Sequence, residues 1–162
     1  MRRPVIALTI IACIAIVSFV CWPSSESVAL KRFQAEILIL KNWFETETAK
    51  NKGRVVGTLK HGREITSRLS AVRTDGLPQD LAKAFKRAIA SQKSMMELLR
   101  EMPETEAKAK PWLTERLGDP EFSEILRTHS KEAEAAGDEL SKAGKKYGID
   151  GLDYMAEPRP ES

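Results

Sequence analysis

The chain has 162 residues, 26 lysines and arginines against 23 aspartates and glutamates, and two cysteines. Charges of both signs alternate along it without a basic stripe interleaved with aromatics, which removes the electrostatic footprint of a nucleic-acid binder. Cys13 and Cys21 both lie in the first apolar stretch, so the remainder lacks disulfides, zinc–thiolate sites, thiol nucleophiles and covalent haem attachment.

That first stretch sets the organisation. Arg2 and Arg3 precede a run from Val5 to Trp22 that carries no charge, and Glu26 is the first charge after it. The run sits at the short end of the ~20 residues a helix needs to cross the hydrocarbon core. Its flanks obey the positive-inside bias, so the amino terminus is expected in the cytoplasm and the rest in the periplasm or outside the cell. Trp22 falls where an interfacial anchor belongs. A retained signal-anchor over residues 5–22 is the preferred reading. A cleaved signal, with Ser27-Val28-Ala29 as the small-residue site, and a lipoprotein at Cys21 or Cys13 are the alternatives. All three deliver one module to the same compartment. The domains are then 1–23 (leader), 24–152 (helical bundle) and 153–162 (a disordered tail). The bundle, about 140 residues, is long enough to bury its own core.

Ser24-Ser25-Glu26-Ser27 offers several N-caps before a helix over about 25–50. Phe33, Ile37, Leu40 and Phe44 mark one face, and Leu30, Leu38, Ile39 and Trp43 widen it. This helix is expected to be the best buried of the module. A second stripe, Val55, Leu59, Gly62, Ile65, Leu69 and Val72, predicts a helix over 54–73. The two stripes are in phase, which permits one long helix; Gly53, Gly57 and the polar gap favour a break near Gly53. His61 is expected on the surface.

Thr74-Asp75-Gly76-Leu77-Pro78 ends that element and places Pro in the first turn of the next. Leu81, Phe85, Ala88, Met95, Leu99 and Met102 predict a helix over 78–102, with Gln92 the polar intruder. Pro111 to Gly118 predicts a short helix over 111–117, lying across an end of the bundle. Asp119-Pro120-Glu121 starts a helix over 120–147 whose seam runs Phe122, Leu126, His129, Ala133, Ala136, Leu140, Ala143 and Tyr147. Gly148-Ile149 has the pattern of a Schellman stop. No segment alternates with a strand's period, so the module is expected to be all-α. Four helices of roughly 20–28 residues would pack as matched rods in an antiparallel four-helix bundle.

Chemistry is sparse. A di-metal carboxylate site needs Glu three residues before His, but Leu126 and Thr58 hold those places, and no nucleophile elbow or phosphate loop is present. No metal site, resident cofactor or catalysis is expected. His129 is the one imidazole on a seam. In an antiparallel arrangement it comes level with about residue 93, within a turn of Met95 and Met96. A His–Met pair beside Ala133 and Ala136 resembles the bundle cytochromes, and that resemblance implies a b-type haem held by His129 with Met95 or Met96. Packing explains the same residues more simply. Trp112 and Leu113, apolar on a polar connector, either dock on their own bundle or contact a partner. The preferred functional reading is therefore a membrane-anchored or exported bundle that acts by binding, as a structural, adaptor or sensor-like module. Its expected partners are the membrane, through residues 5–22, and a protein or a second copy. An electron-transfer bundle is the alternative.

Overall fold

The computed structural model describes residues 24–152, all of whose regular elements are helices. The leader over residues 5–22 and the tail over 153–162 lie outside the described residues. Among the described residues, no helix is long and apolar enough to cross a membrane. The elements are α1 (Ser25–Asn51), α2 (Val55–Ser70), α3 (Gln79–Leu98), α4 (Glu106–Gly118) and α5 (Pro120–Lys146).

Local chemistry sets most of the ends. The Ser24 hydroxyl accepts from the Ser27 N–H and starts α1. Asp119 does the same for α5 through the Glu121 N–H, with Pro120 in the first turn. At the other end of α5 the Ile149 N–H donates to the Gly144 carbonyl and the Gly148 N–H to that of Lys145, the paired bonds of a Schellman stop. α1 and α2 are separate helices. Gly53 takes a left-handed backbone, φ 77°, in the turn between them, a conformation that side chains with a Cβ resist.

The long helices run antiparallel to their neighbours. α1 faces α2 through Trp43 and Thr48 against His61, and Glu36 against the Arg73 N–H. α2 faces α3 through Gly62 against Met96. α3 faces α5 most extensively. There Asp80 takes Lys146 and Tyr147, each at 2.7 Å, and Arg87 pairs with Glu139. The Lys146 ammonium and the Tyr147 hydroxyl hold the Asp80 carboxyl down at about 2.

The main core lies between α1, α2, α3 and α5. Phe33 and Phe85 meet edge to face at 5.0 Å, surrounded by Ile37, Ile65, Leu69, Leu81 and Leu140. A second, smaller core of Leu59, Met102 and Ala109 sits at the end where α4 crosses.

Several expectations change. The helices are not matched rods: α2 has 16 residues and α3 20, against 27 for α1 and α5. α2 stops at Ser70 rather than 73 and α3 at Leu98 rather than 102. Pro78 caps α3 from outside instead of entering its first turn. The crossing helix starts at Glu106, not 111, and carries Pro111 inside it. The proline removes the bond to the Ala107 carbonyl, which is exposed and open to water. Ala109, fully buried, and Glu106, bonded to α2, draw the extra turn into helix. α1 is less buried than its composition suggests, because Ile39 is 68% and Val28 52% exposed. In α5 the C-terminal seam includes Gly137 and Gly144, while Ala143 and Tyr147 are only half-buried.

Replacing Phe85 by Ala is expected to cost about 3–5 kcal/mol, because a closed aromatic site becomes a cavity. Ile39→Ala, on the open side of α1, is expected to stay within about 0.5 kcal/mol. Urea titrations followed by circular dichroism would check both; equal effects would place the core elsewhere.

Candidate functional site

The site grows out of the mismatch in helix length. α3 ends at Leu98, and Leu99 to Met102 turn back on it through the bonds Arg100 N–H to Glu97 carbonyl and Met102 N–H to Leu99 carbonyl. α4 then crosses towards the start of α2. That start has no capping side chain of its own, since Arg54 occupies the N-cap. The Glu106 carboxylate supplies the cap from another helix. It accepts from the N–H groups of Val56 at 2.8 Å, Val55 at 3.1 Å and Gly57 at 3.4 Å. Burial alone would raise the Glu106 carboxyl; the three N–H groups, with Lys110 nearby, outweigh it and hold it below its ordinary value. An anion at a helix N-terminus is also favoured by the helix dipole.

α2, α3 and α4 so joined leave a cavity of about 410 Å³ among them. Val55, Leu59, Met96, Leu99, Met102 and Leu113 line it, and the exposed Arg54 and Thr58 stand at its edge. A volume of this size and an apolar wall with few polar groups are what small-ligand sites offer. A second cavity, about 420 Å³, adjoins it along the α2–α3 seam and shares Met96. Its character is opposite: Arg63, Lys93, Arg100, Glu97 and Thr66 line it. The Arg63 guanidinium donates to the carbonyls of Leu99 and Arg100, both at 3.3 Å, and so caps the end of α3. Glu97 pairs with Arg100 at 2.7 Å. Gly62 makes this junction possible, since the Met96 sulfur lies 3.0 Å from where a Cβ would stand.

The residues singled out from sequence fall as follows. Leu113 lines the apolar cavity. Trp112 is half-buried on the second core, edge-on to Phe122 at 6.2 Å with the Arg116 guanidinium 5.6 Å from its ring centre. Its ring therefore docks on its own bundle. His129 comes level with Lys93, as the antiparallel geometry implies, and lines a shallow recess with Lys93, Ser94, Glu97 and Leu98. Its Nδ1 lies 3.4 Å from a Glu132 oxygen. Met96 lies against Gly62 and lines the two cavities above, whereas Met95 is half-buried and lines none of these three cavities. Thus His129 is not brought together with either methionine. Among the described residues, no three His, Cys, Asp or Glu side chains converge as a metal site would require.

His61 corrects an expectation: it is buried, 6% exposed, between α1 and α2. The rings of Trp43 and Phe44 flank it, each centroid 4.9 Å away. Nε2 lies 3.2 Å from the Thr48 hydroxyl, and Nδ1 meets no partner among the described residues. Arg68, bound to Glu64, lies 4.3 Å over the far ring, Trp43. Burial lowers the His61 imidazole below its ordinary value, although Glu47 and Glu64 pull the other way. The available signal was its place four residues before Ile65, at the edge of the apolar stripe.

The neutral imidazole is the form this fold favours. Below pH ~6.5 the unfolded chain takes up a proton that the folded one refuses, so stability is expected to fall as pH drops from that point. His61→Phe should flatten this dependence in denaturant titrations at stepped pH; an unchanged slope would exclude His61 as its source. For the crossing cap, Glu106→Gln should speed hydrogen exchange at Val55–Gly57 about tenfold relative to α5, because a charge-assisted acceptor is lost. Uniform change across the chain would contradict the local role.

No protein-family model matches the chain, and neither a curated protein nor a solved structure matches it significantly.

Proposed function

We propose that the chain is a non-catalytic binding module, anchored at a membrane or exported across it by residues 5–22. Its binding site is the apolar groove between α2, α3 and α4. The observation that carries this reading is the groove itself: six apolar side chains open to the exterior on a bundle that otherwise buries such residues in two closed cores. Ligand sites are usually concave, apolar and few in a protein.

The placement suits a tethered receptor. α1 begins at Ser25, next to the leader, and its 27 residues at 1.5 Å each span about 40 Å. The groove lies beyond the far end of that rod, where Gly53, Arg54 and Val55 follow α1. A retained leader would then present the groove away from the membrane. The geometry favours this reading over haem-based electron transfer, because His129 and Met96 line different cavities.

A benzophenone side chain at position 113 of the full chain tests the site. Irradiated membranes should give a discrete adduct, read by intact mass, that falls several-fold with Thr58→Glu at the groove's edge. The intact mass of the same sample also reports whether the leader is retained, cleaved or lipidated. Equal adducts from a probe at the exposed Ile125 of α5, or none from position 113, would overturn the assignment.

A further inference from the structure

The apolar groove and the basic recess beside it share one side chain, Met96, and lie end to end along the α2–α3 seam. On α2 the lining passes from Leu59 to Arg63 within one turn, about 6 Å of rise. Met96 at the junction is unbranched and readily re-packed, and Gly62 leaves it the room to lie flat. We propose that the two form one site for a single-chain amphiphile with an anionic headgroup. The proposal rests on the groove being the binding site and names its ligand class.

Charge selects the sign of the head. The recess presents Arg63, Lys93 and Arg100 against one carboxylate, Glu97, which already pairs with Arg100. Arg63 is committed to the α3 carbonyls. Lys93 is exposed and makes no ion pair among the described residues, so it is the cation most open to a new anion. The exposed Arg100 can divide its donors between Glu97 and that anion. A carboxylate or phosphate head satisfies these groups, and a cationic head repels them.

Shape selects a chain rather than a helix. α2 and α3 touch directly at Gly62 and Met96. A helix, ~10 Å across with its side chains, does not fit along that closed seam, whereas a polymethylene chain is only one side chain wide. The chain would lie along Val55, Leu59, Leu99 and Met102, which are apolar and packed at the second core.

The test uses the full chain in phosphatidylcholine vesicles and three diazirine-tipped probes of equal length: a fatty acid, an alcohol and an alkyltrimethylammonium. Labelled peptides are mapped by mass spectrometry. The fatty acid should label residues 55–59 and 96–113, the ammonium should not, and the alcohol should label weakly. Lys93→Glu with Arg100→Gln should cut fatty-acid labelling there about tenfold, as the loss of two attractive charges implies, and leave alcohol labelling unchanged. That unchanged arm also reports an intact fold. Competition with lysophosphatidate against free fatty acid then tells a phosphate from a carboxylate head. Equal labelling by acid and alcohol, indifferent to the double variant, would remove the anionic head and leave the groove standing. Labelling confined to residues 5–22, or a protein in place of a lipid-sized adduct at position 113, would overturn the ligand class. Silence at position 113 as well would overturn the groove with it.

Discussion

The antiparallel pairing of α3 with α5 is the constraint on which the rest is built. Ala84 and Ala88 on one side and Ala136, Gly137 and Gly144 on the other are all buried, and small residues let two helix backbones approach closely. Close packing of this kind does not itself choose a register, because alanine fits alanine at more than one offset. Polar pairs on its flanks do. Asp80 with Lys146 and Tyr147, then Arg87 with Glu139, and finally the His129 recess beside Lys93 follow one consistent offset along the pair. These surface pairs add little stability singly; their contribution is to exclude the alternative offsets.

That register determines where α3 ends and therefore what the connection to α5 must do. α2 and α3 are shorter than α1 and α5, and the resulting gap at one end would expose Leu59, Leu99 and Met102. α4 covers part of it. The cover is attached by two polar contacts of opposite sense. The Glu106 carboxylate caps the amino end of α2, and the Arg63 guanidinium of α2 caps the carboxyl end of α3. Each places a full charge on the helix terminus whose partial charge it complements. Both contacts tie backbone groups that would otherwise compete for water, so the groove's frame is held while its wall stays partly open.

Two titratable features lie at opposite extremes of the same logic. Asp80 is exposed and its ionised form is stabilised by neighbours, so it contributes above its ordinary range and loses that contribution only as pH falls towards about 2. His61 is enclosed by Trp43 and Phe44 and its neutral form is the stabilised one. The second kind of group responds near neutral pH, at the α1–α2 contact that flanks the approach to the groove.

Sequence alone determined the all-helical class, the order of the helices and most of their ends, because these depend on contacts within a few residues. Ser24, Asp119-Pro120 and Gly148-Ile149 act through their own backbones, and a 3.6-residue stripe needs no partner to be recognised. It also placed His129 level with residue 93, since antiparallel rods of known rise leave no other level. Tertiary structure alone decided what depends on a second helix: the burial of His61 between two α1 rings, the extra turn that begins α4 at Glu106, and the exposure of Ile39. Leu113 and Met96 were visible as apolar residues, but the groove they line needs α2, α3 and α4 at fixed distances. A stripe states that a face will be covered; only the packed lengths of its neighbours state where the cover stops.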